Sequence, residues 1–272
     1  MTIFGHSTKA VKCGQNVDTS PGFRIVGGAN ATQGLIPWQV ALTSGSSVIC
    51  GGSIIAPSWV LTAAHCYDGF ANNTYVNPSK KYYAIAGSLL KKGAKIGQRR
   101  EIEKMIFHPK FNSRLFADIM LLKLKTPFKY GPTPSNNQYA TAIGPICLPE
   151  SNSKEWTYKG VTKVSGFGRM EHKGDKSETL RFIRVNVVDD KLCYKRYAKE
   201  KSKYPFDHNT MVCCGSLQKG IATCSGDSGG PFVGRLGDHY IQIGIVSYGA
   251  SCGKNGTPSV FVKVLAYRDW IK

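Results

Sequence analysis

Short apolar runs alternate with polar or glycine-containing turns along most of the chain. Residues 53–55, 59–61 and 119–124 are examples, because each contains mainly isoleucine, valine or leucine and is bounded by turn-forming residues. Runs of this length and composition are typical of β-strands rather than helices. The pattern therefore predicts an all-β chain, and a short helix is expected at its end, over residues 264–271.

The length of the chain sets how much core it can bury. With 272 residues and 30 glycines, it can form one large or two modest domains. Residues 131–137 are rich in proline, asparagine and serine, and we expect them to begin the crossing between two units. No apolar run is long enough to span a membrane, and no internal repeat is visible.

The nine cysteines indicate disulfides and an oxidising compartment, because they include no Cys-x-x-Cys pair of the kind that binds metal. A metal protein using cysteine and histidine is disfavoured by the same spacing. The first residues lack the apolar core of a signal peptide, so we interpret the chain as a processed or truncated form of a secreted, extracellular protein. Three triplets, at Asn30, Asn72 and Asn255, fit the N-glycosylation pattern.

The most distinctive segment places a serine between glycines and reads GDSGGP from Gly226 to Pro231. Glycines on both sides allow a tight turn and leave the backbone N–H groups of Gly226 and Ser228 available to one developing oxyanion. The same string by itself also fits an ordinary glycine–serine loop. Ser228 is a candidate nucleophile if the chain also supplies a base.

A histidine and an aspartate suited to that role lie upstream. His65 follows a β-rich run and a turn of small residues, and Asp118 opens an apolar strand. An acid in that position can be only a solvated strand start. The order His65, Asp118, Ser228 along the chain is nevertheless that of the chymotrypsin type of triad.

From about Arg24 to Lys272 the chain resembles the chymotrypsin-type (trypsin superfamily) serine endopeptidases. The resemblance implies two six-stranded antiparallel β-barrels with the active site between them. It places a leader at 1–24, the first barrel at 25–130, a linker at 131–155 and the second barrel at 156–262. The further matching strings are RIVGG at 24–28, PWQV at 37–40, CGGS at 50–53, ICLP at 146–149, VSGFG at 164–168 and GIVSYG at 244–249.

The resemblance assigns a role to each candidate residue. Ser228 attacks the scissile carbonyl, His65 transfers the proton, Asp118 orients the imidazole, and the N–H groups of Gly226 and Ser228 form the oxyanion hole. Residues 247–249 (Ser247, Tyr248, Gly249) resemble the edge strand that pairs with an extended substrate. No cofactor is expected.

The resemblance also implies a zymogen. Cleavage after Arg24 by a separate trypsin-like protease would expose the α-amino group of Ile25, which is expected to pair with Asp227 and complete the oxyanion hole. We expect no accessory module before the leader, which disfavours a cascade protease but leaves it as an alternative. Among the cysteines, the implied pairs are Cys13–Cys147, Cys50–Cys66, Cys193–Cys213 and Cys224–Cys252, with Cys214 left over.

Specificity is expected to favour an apolar residue on the acyl side of the cut bond. By similarity, Ala222 occupies the floor of the specificity pocket, where trypsin-like members carry an aspartate. Gly249 leaves one wall open, whereas Thr223, Ser259 and Phe261 are expected to shorten the pocket and favour leucine, methionine, phenylalanine or tyrosine. An elastase-like preference for alanine and valine is the alternative.

Charge changes this picture in two ways. The loop that holds calcium in some relatives, residues 88–100, contains lysines and arginines but no carboxylate, so no metal site is expected. The net charge of +19, with clusters at residues 91–100 and 191–203, fits either plain solubility or binding to sulfated polyanions. Nucleic acid is not an expected partner of such a cysteine-rich secreted protein.

The expected partners are protein or peptide substrates, the activating protease and protein protease inhibitors, and the enzyme is expected to be a monomer. The alternative from another class is a catalytically silent homologue that binds polyanions or acts in signalling. The intact His65, Asp118 and Ser228 disfavour it.

Overall fold

The described residues form two closed antiparallel barrels, each of six strands. The computed structural model describes residues 11–16, 28–70, 80–133, 135–150, 162–198, 206–215, 223–249, 252 and 257–272. The strands are β1 Ala29–Asn30, β2 Gln39–Ser44, β3 Ser47–Ala56, β4 Trp59–Thr62, β5 Tyr82–Ala86, β6 Gln98–Phe107, β7 Met120–Leu124, β8 Thr162–Gly166, β9 Arg181–Val188, β10 Met211–Gly215, β11 Pro231–Leu236, β12 His239–Gly249 and β13 Ser259–Lys263.

The first barrel has the strand order β2-β3-β4-β7-β6-β5. Its interior is filled by aliphatic and aromatic side chains that alternate with outward residues along each strand. Val40, Leu42, Ile54, Met120 and Leu122 are among the fully buried ones. The short apolar runs of the sequence are therefore strands of a closed barrel, as expected.

The second barrel is formed by β8 to β13 and closes through the pairing of β8 with β9. The first strand of the chain, β1, also belongs to this sheet, since Ala29 pairs with Phe182 and Asn30 with Arg181 of β9. The sequence-based boundary placed this stretch in the first barrel. It lies on the second because the ladder continues through a bond from the N–H of Ala31 to the carbonyl of Leu180 (2.8 Å).

Apolar packing and buried side-chain hydrogen bonds join the barrels. Leu61 and Ile119 of the first barrel pack with Ile245 and Val262 of the second. Between the barrels, Ser53 donates to Gln242 at 2.6 Å, and Ser165 donates to Gln39 at 2.6 Å. These contacts hold the ends of β4, β7 and β12 close together, at the place where the candidate residues lie.

Helical structure among the described residues is short. A 3₁₀ helix, Val264–Tyr267, leads into the helix α2, Arg268–Ile271, as expected from the sequence. The helix α1, Asp190–Tyr197, was not expected. Asp189 caps it by accepting bonds from the N–H groups of Lys191 and Leu192. No helix in the described part of the chain has the length and apolar character that crossing a membrane requires.

Four disulfides join the pairs that the resemblance implies, namely Cys13–Cys147, Cys50–Cys66, Cys193–Cys213 and Cys224–Cys252. Cys214 is unpaired and fully buried in the second barrel, and burial raises the pKa of its thiol. Near the first bond, Gly14 adds backbone hydrogen bonds to Pro145 (2.8 Å) and Tyr240 (2.9 Å). The segment around Cys13 is thus held on the second barrel.

Candidate active site

His65 and Asp118 meet at the boundary between the barrels. His65 stands in the 3₁₀ helix Ala64–Phe70 that directly follows β4, and Asp118 stands two residues before β7, which pairs with β4. The imidazole Nδ1 lies 2.7 Å from Oδ2 of Asp118, and the backbone N–H of His65 donates to Oδ1 at 2.8 Å. The pairing of two neighbouring strands therefore fixes both the place and the orientation of the imidazole.

Asp118 is fully buried, which makes its hydrogen bonds important. A third donor comes from the second barrel, because the hydroxyl of Ser247 lies 2.5 Å from Oδ2. A buried carboxylate is tolerated only when such donors replace water. The preceding residue, Ala117, has a φ of 50°, a conformation that a non-glycine residue adopts rarely and that is common near functional sites.

Ser228 lies in a tight turn whose glycines are required by space as well as by backbone conformation. Gly226 and Gly229 have φ values of 103° and 75°. A Cβ at Gly229 would lie 2.6 Å from the carbonyl oxygen of Gly51, which is too close for any side chain. The motif is therefore a consequence of how closely this turn approaches β3.

The backbone N–H groups of this turn fall into two sets, those that donate a hydrogen bond and those that do not. Those of Asp227, Gly229 and Gly230 donate to backbone carbonyls at 2.8–3.0 Å. Those of Gly226 and Ser228 donate to no acceptor within the described residues. Two unused donors on either side of one residue, beside a serine hydroxyl, are what an oxyanion hole requires.

Asp227 points away from Ser228 into a small cavity. Its carboxylate accepts from the N–H groups of Gly168 (2.9 Å) and Cys224 (3.0 Å), and a Cβ at Gly166 or Gly168 would overlap it. Burial raises the pKa of this carboxyl, which the two N–H donors oppose. The cavity has a volume of about 60 Å³, and Gly28 contributes to its wall.

A second cavity, of about 320 Å³, opens beside Ser228. Its walls include Thr223, Val246 and residues 247–249, and no carboxylate among the described residues lines it. The hydroxyl of Thr223 donates to that of Ser259 at 2.8 Å, and both side chains are buried. Thr223 lines the cavity, whereas Ser259, expected there from the sequence, does not line it and is bonded to Thr223 from behind.

The remaining residues expected at this cavity are placed differently. Phe261 packs against Phe232 in the core of the second barrel, with ring centroids 4.8 Å apart, and is not among the lining residues. Tyr248 lines the cavity but packs edge-on against Tyr197. Ala222, expected at the floor of the cavity, lies outside the described residues. So do Arg24 and Ile25, which were expected at the activation cleavage.

Residues 247–249 leave one edge of β12 without a neighbouring strand among the described residues. On one side β12 pairs with β13, but on the other side its pairing with β11 ends at Ile245 and Pro231. An exposed edge of this kind is a ready acceptor for an extended peptide. Sequence reasoning anticipated this edge, but missed the bond from Ser247 to Asp118, which joins residues 129 positions apart.

The cationic loop, residues 88–100, is held by protein contacts. Lys91 forms a 2.6 Å ion pair with Glu178, and the guanidinium of Arg99 stacks on the ring of Tyr83. Among the described residues, one group has ligand atoms close enough together to hold a metal ion. It consists of Cys50, His65 and Cys66, and its two sulfurs are bonded to each other.

Comparison with known proteins agrees with this geometry. The family model described as Trypsin matches residues 25–271. The Suppressor of tumorigenicity 14 protein homolog of Bos taurus is 34% identical over 254 residues, covering 92% of this chain and 28% of the relative. Coagulation factor IX of Cavia porcellus is 33% identical over 253 residues, covering 91% of this chain and 80% of the relative.

The match over nearly the whole chain defines the class, and the chain belongs to the trypsin family. It is a serine endopeptidase, a hydrolase of peptide bonds. The chain spans just over a quarter of the length of the first relative, so the properties of that whole protein do not transfer with the similarity.

Proposed function

We propose that this endopeptidase cuts peptide bonds through an acyl-enzyme on Ser228, with His65 as the base and Asp118 as the orienting carboxylate. The observation that carries the proposal is the buried carboxylate of Asp118, which forms hydrogen bonds with both the imidazole Nδ1 and the backbone N–H of His65. Because Nδ1 donates to the carboxylate, Nε2 is left as the proton acceptor.

The reaction follows from these positions. Ser228 Oγ attacks the scissile carbonyl while His65 Nε2 takes its proton, and the N–H groups of Gly226 and Ser228 stabilise the oxyanion, each by about 3 kcal/mol. His65 then returns the proton to the leaving amine, and water repeats the sequence on the acyl-enzyme. The open edge at residues 247–249 holds the substrate as an added strand.

Activation by cleavage after Arg24 is the second part of the proposal. Gly28 lines the cavity that contains the Asp227 carboxylate, and Ile25 precedes it by three residues. Three residues span about 10 Å when extended, so a new α-amino group at Ile25 is within reach of Asp227. An ammonium there would compensate the buried carboxylate, which stabilises the turn that carries both oxyanion donors.

The third part concerns the residue on the acyl side of the cut bond, for which we propose an apolar preference. The cavity beside Ser228 has no described carboxylate to compensate a lysine or arginine side chain, and an unpaired buried charge costs several kcal/mol. Thr223, which lines the cavity and is held by its bond to Ser259, is the residue that we propose limits its depth. Leucine, methionine, phenylalanine or tyrosine would fit better than tryptophan.

Secretion is proposed from the four disulfides, which form in oxidising compartments. The triplet at Asn30 begins on an exposed residue of β1, as glycosylation requires, whereas Asn72 and Asn255 lie outside the described residues. Binding of sulfated polyanions and a monomeric state remain part of the proposal.

A serine-directed covalent probe tests the function. The chain is cleaved after Arg24 by a trypsin-like protease and then treated with a fluorophosphonate. We expect stoichiometric labelling of the cleaved protein, weak labelling of the uncleaved protein and none of Ser228→Ala. Full peptidase activity in a well-folded Ser228→Ala protein would contradict the proposal, and absence of labelling after cleavage would favour the silent homologue.

A further inference from the structure

Lys176 lies against the turn that carries the oxyanion donors. It belongs to the connection between β8 and β9, and its Cε and Cδ are 3.1 and 3.4 Å from the position that a Cβ on Gly226 would occupy. The methylenes of the lysine therefore cover one face of Gly226. Nothing in the sequence around Lys176 predicts that this lysine approaches the turn that carries Ser228.

The ammonium of Lys176 is held in place on the far side of Gly226. Its Nζ donates to the carbonyl of Val48 at 3.2 Å, at the beginning of β3. The other two donors of the ammonium have no acceptor among the described residues. The side chain is half-buried, so its position is fixed while its charged end remains accessible.

The charges around this ammonium favour a positive potential. Lys91 and Arg169 are close enough to lower the pKa of Lys176, in addition to the larger effect of its burial. Asp227 opposes them, but its carboxylate is occupied by two backbone N–H donors. Glu178 is paired with Lys91. A carboxylate that arrives from solvent would thus meet a lysine with unused donors.

Lys176 lies on the leaving-group side of Ser228. The acyl side is defined by the cavity lined by residues 247–249, whereas β3 borders Ser228 from the other direction, since the N–H of Gly51 donates to its carbonyl at 2.8 Å. Val48 precedes Gly51 on that strand. A peptide extending beyond the cut bond toward β3 therefore passes the ammonium.

We propose that Lys176 is a specificity-determining residue that makes the enzyme prefer substrates with Asp or Glu at the second residue after the cut bond. Gly226 supplies one oxyanion donor and therefore borders the scissile carbonyl, and Lys176 Cε lies 3.1 Å from the position of a Cβ on that glycine. The ammonium lies one bond further out, anchored at Val48, and we assign it to the second residue after the cut bond because an extended chain advances about 3.3 Å per residue. The inference rests on the proposed function of Ser228, since it names a substrate class for that site.

Matched peptides test the inference. Three substrates differ only at the second residue after the cut bond, which is Glu, Gln or Lys, and kcat/KM is measured for the activated enzyme at low and moderate salt. Partly exposed ion pairs are modest, so we expect Glu to exceed Gln by about five-fold, and the ratio to shrink as salt rises. Lys should be the poorest of the three.

Two variants separate charge from packing. Lys176→Met keeps the methylenes on Gly226 and should equalise the Glu and Gln peptides, whereas Lys176→Glu should favour the Lys peptide. Lys173→Met, an exposed lysine in the same connection, is the matched control and should leave the ratio unchanged. Equal loss on all three peptides in Lys176→Met would assign a structural role and overturn the inference, as would an unchanged ratio.

Serine labelling keeps this outcome distinct from failure of the proposed function. If the parental enzyme labels with the fluorophosphonate and cuts all three peptides at one rate, only the role of Lys176 is wrong. If it neither labels nor cuts, the proposed function itself fails.

Discussion

Asparagine in place of Asp118 should disable the enzyme by changing the tautomer of His65. An amide offers one oxygen and one NH₂, whereas the carboxylate now accepts on both sides. The backbone N–H of His65 can only donate, so the amide oxygen must remain at the Oδ1 position. The NH₂ then faces the imidazole Nδ1, which can accept only if the ring proton moves to Nε2. Nε2 is the atom required as the base, and the hydroxyl of Ser247 can turn to accept.

The size of the effect follows from what a productive arrangement would cost. Turning the amide over restores the tautomer but opposes NH₂ to a buried N–H, at about 1–3 kcal/mol. The lost negative charge near the imidazolium costs about 4 kcal/mol more, at an effective dielectric constant of roughly 20. Together these predict that kcat falls roughly 10⁴-fold, the size described for this substitution in the chymotrypsin-type triad.

The assay is hydrolysis of an apolar peptide substrate by the activated protein at about pH 8, with unfolding temperature measured in parallel. KM should change little, because Asp118 does not contact substrate. Ser247→Ala is the matched control. It removes one donor to the same carboxylate without changing the tautomer, and should cost at most about 100-fold. An Asp118→Asn enzyme within tenfold of the parental kcat would refute the tautomer argument.

Four further predictions concern the rest of the protein. The rate should rise between about pH 6 and 8 as His65 loses a proton, since histidine has a reference pKa of about 6.5, and a flat profile would count against a histidine base. Millimolar calcium or a chelator should leave the unfolding temperature unchanged, whereas a rise of several degrees with calcium would reveal a site. Ser259→Gly should increase kcat/KM for larger aromatic residues relative to leucine, and a profile dominated by arginine would show the pocket to be misassigned. Replacing the exposed Lys92 and Lys95 with glutamine should lower the salt needed for elution from heparin more than from a cation exchanger, unless the charge serves only solubility.

The two barrels could be predicted because their short apolar runs and their motifs are local. The glycines around Ser228 are a clear case, since the turn geometry that requires them lies within a few residues. The helix α1 was missed because it has only eight residues. Its signal was present, in the capping Asp189 and the basic Lys195 and Arg196 of the last turn.

Contacts between distant parts of the chain could not be predicted. Ser247 binds Asp118 across the barrels, and Lys176 covers Gly226, although nothing in their local sequence distinguishes these residues from others of their type. Phe261 was expected in the pocket by alignment, but its ring packs against Phe232 in the core of the second barrel. Such positions depend on how strands from two barrels are brought together.

The attachment of the segment around Cys13 to the second barrel would determine the product of the activation cleavage that we propose. Because Cys13 is bonded to Cys147, and Gly14 to Pro145 and Tyr240, a cut after Arg24 would divide the backbone without releasing this segment. The mature enzyme would be a two-chain molecule whose mass changes in electrophoresis only after reduction. Its leader would remain at one fixed local concentration however far the enzyme is diluted, so that it could not diffuse away as a separate peptide.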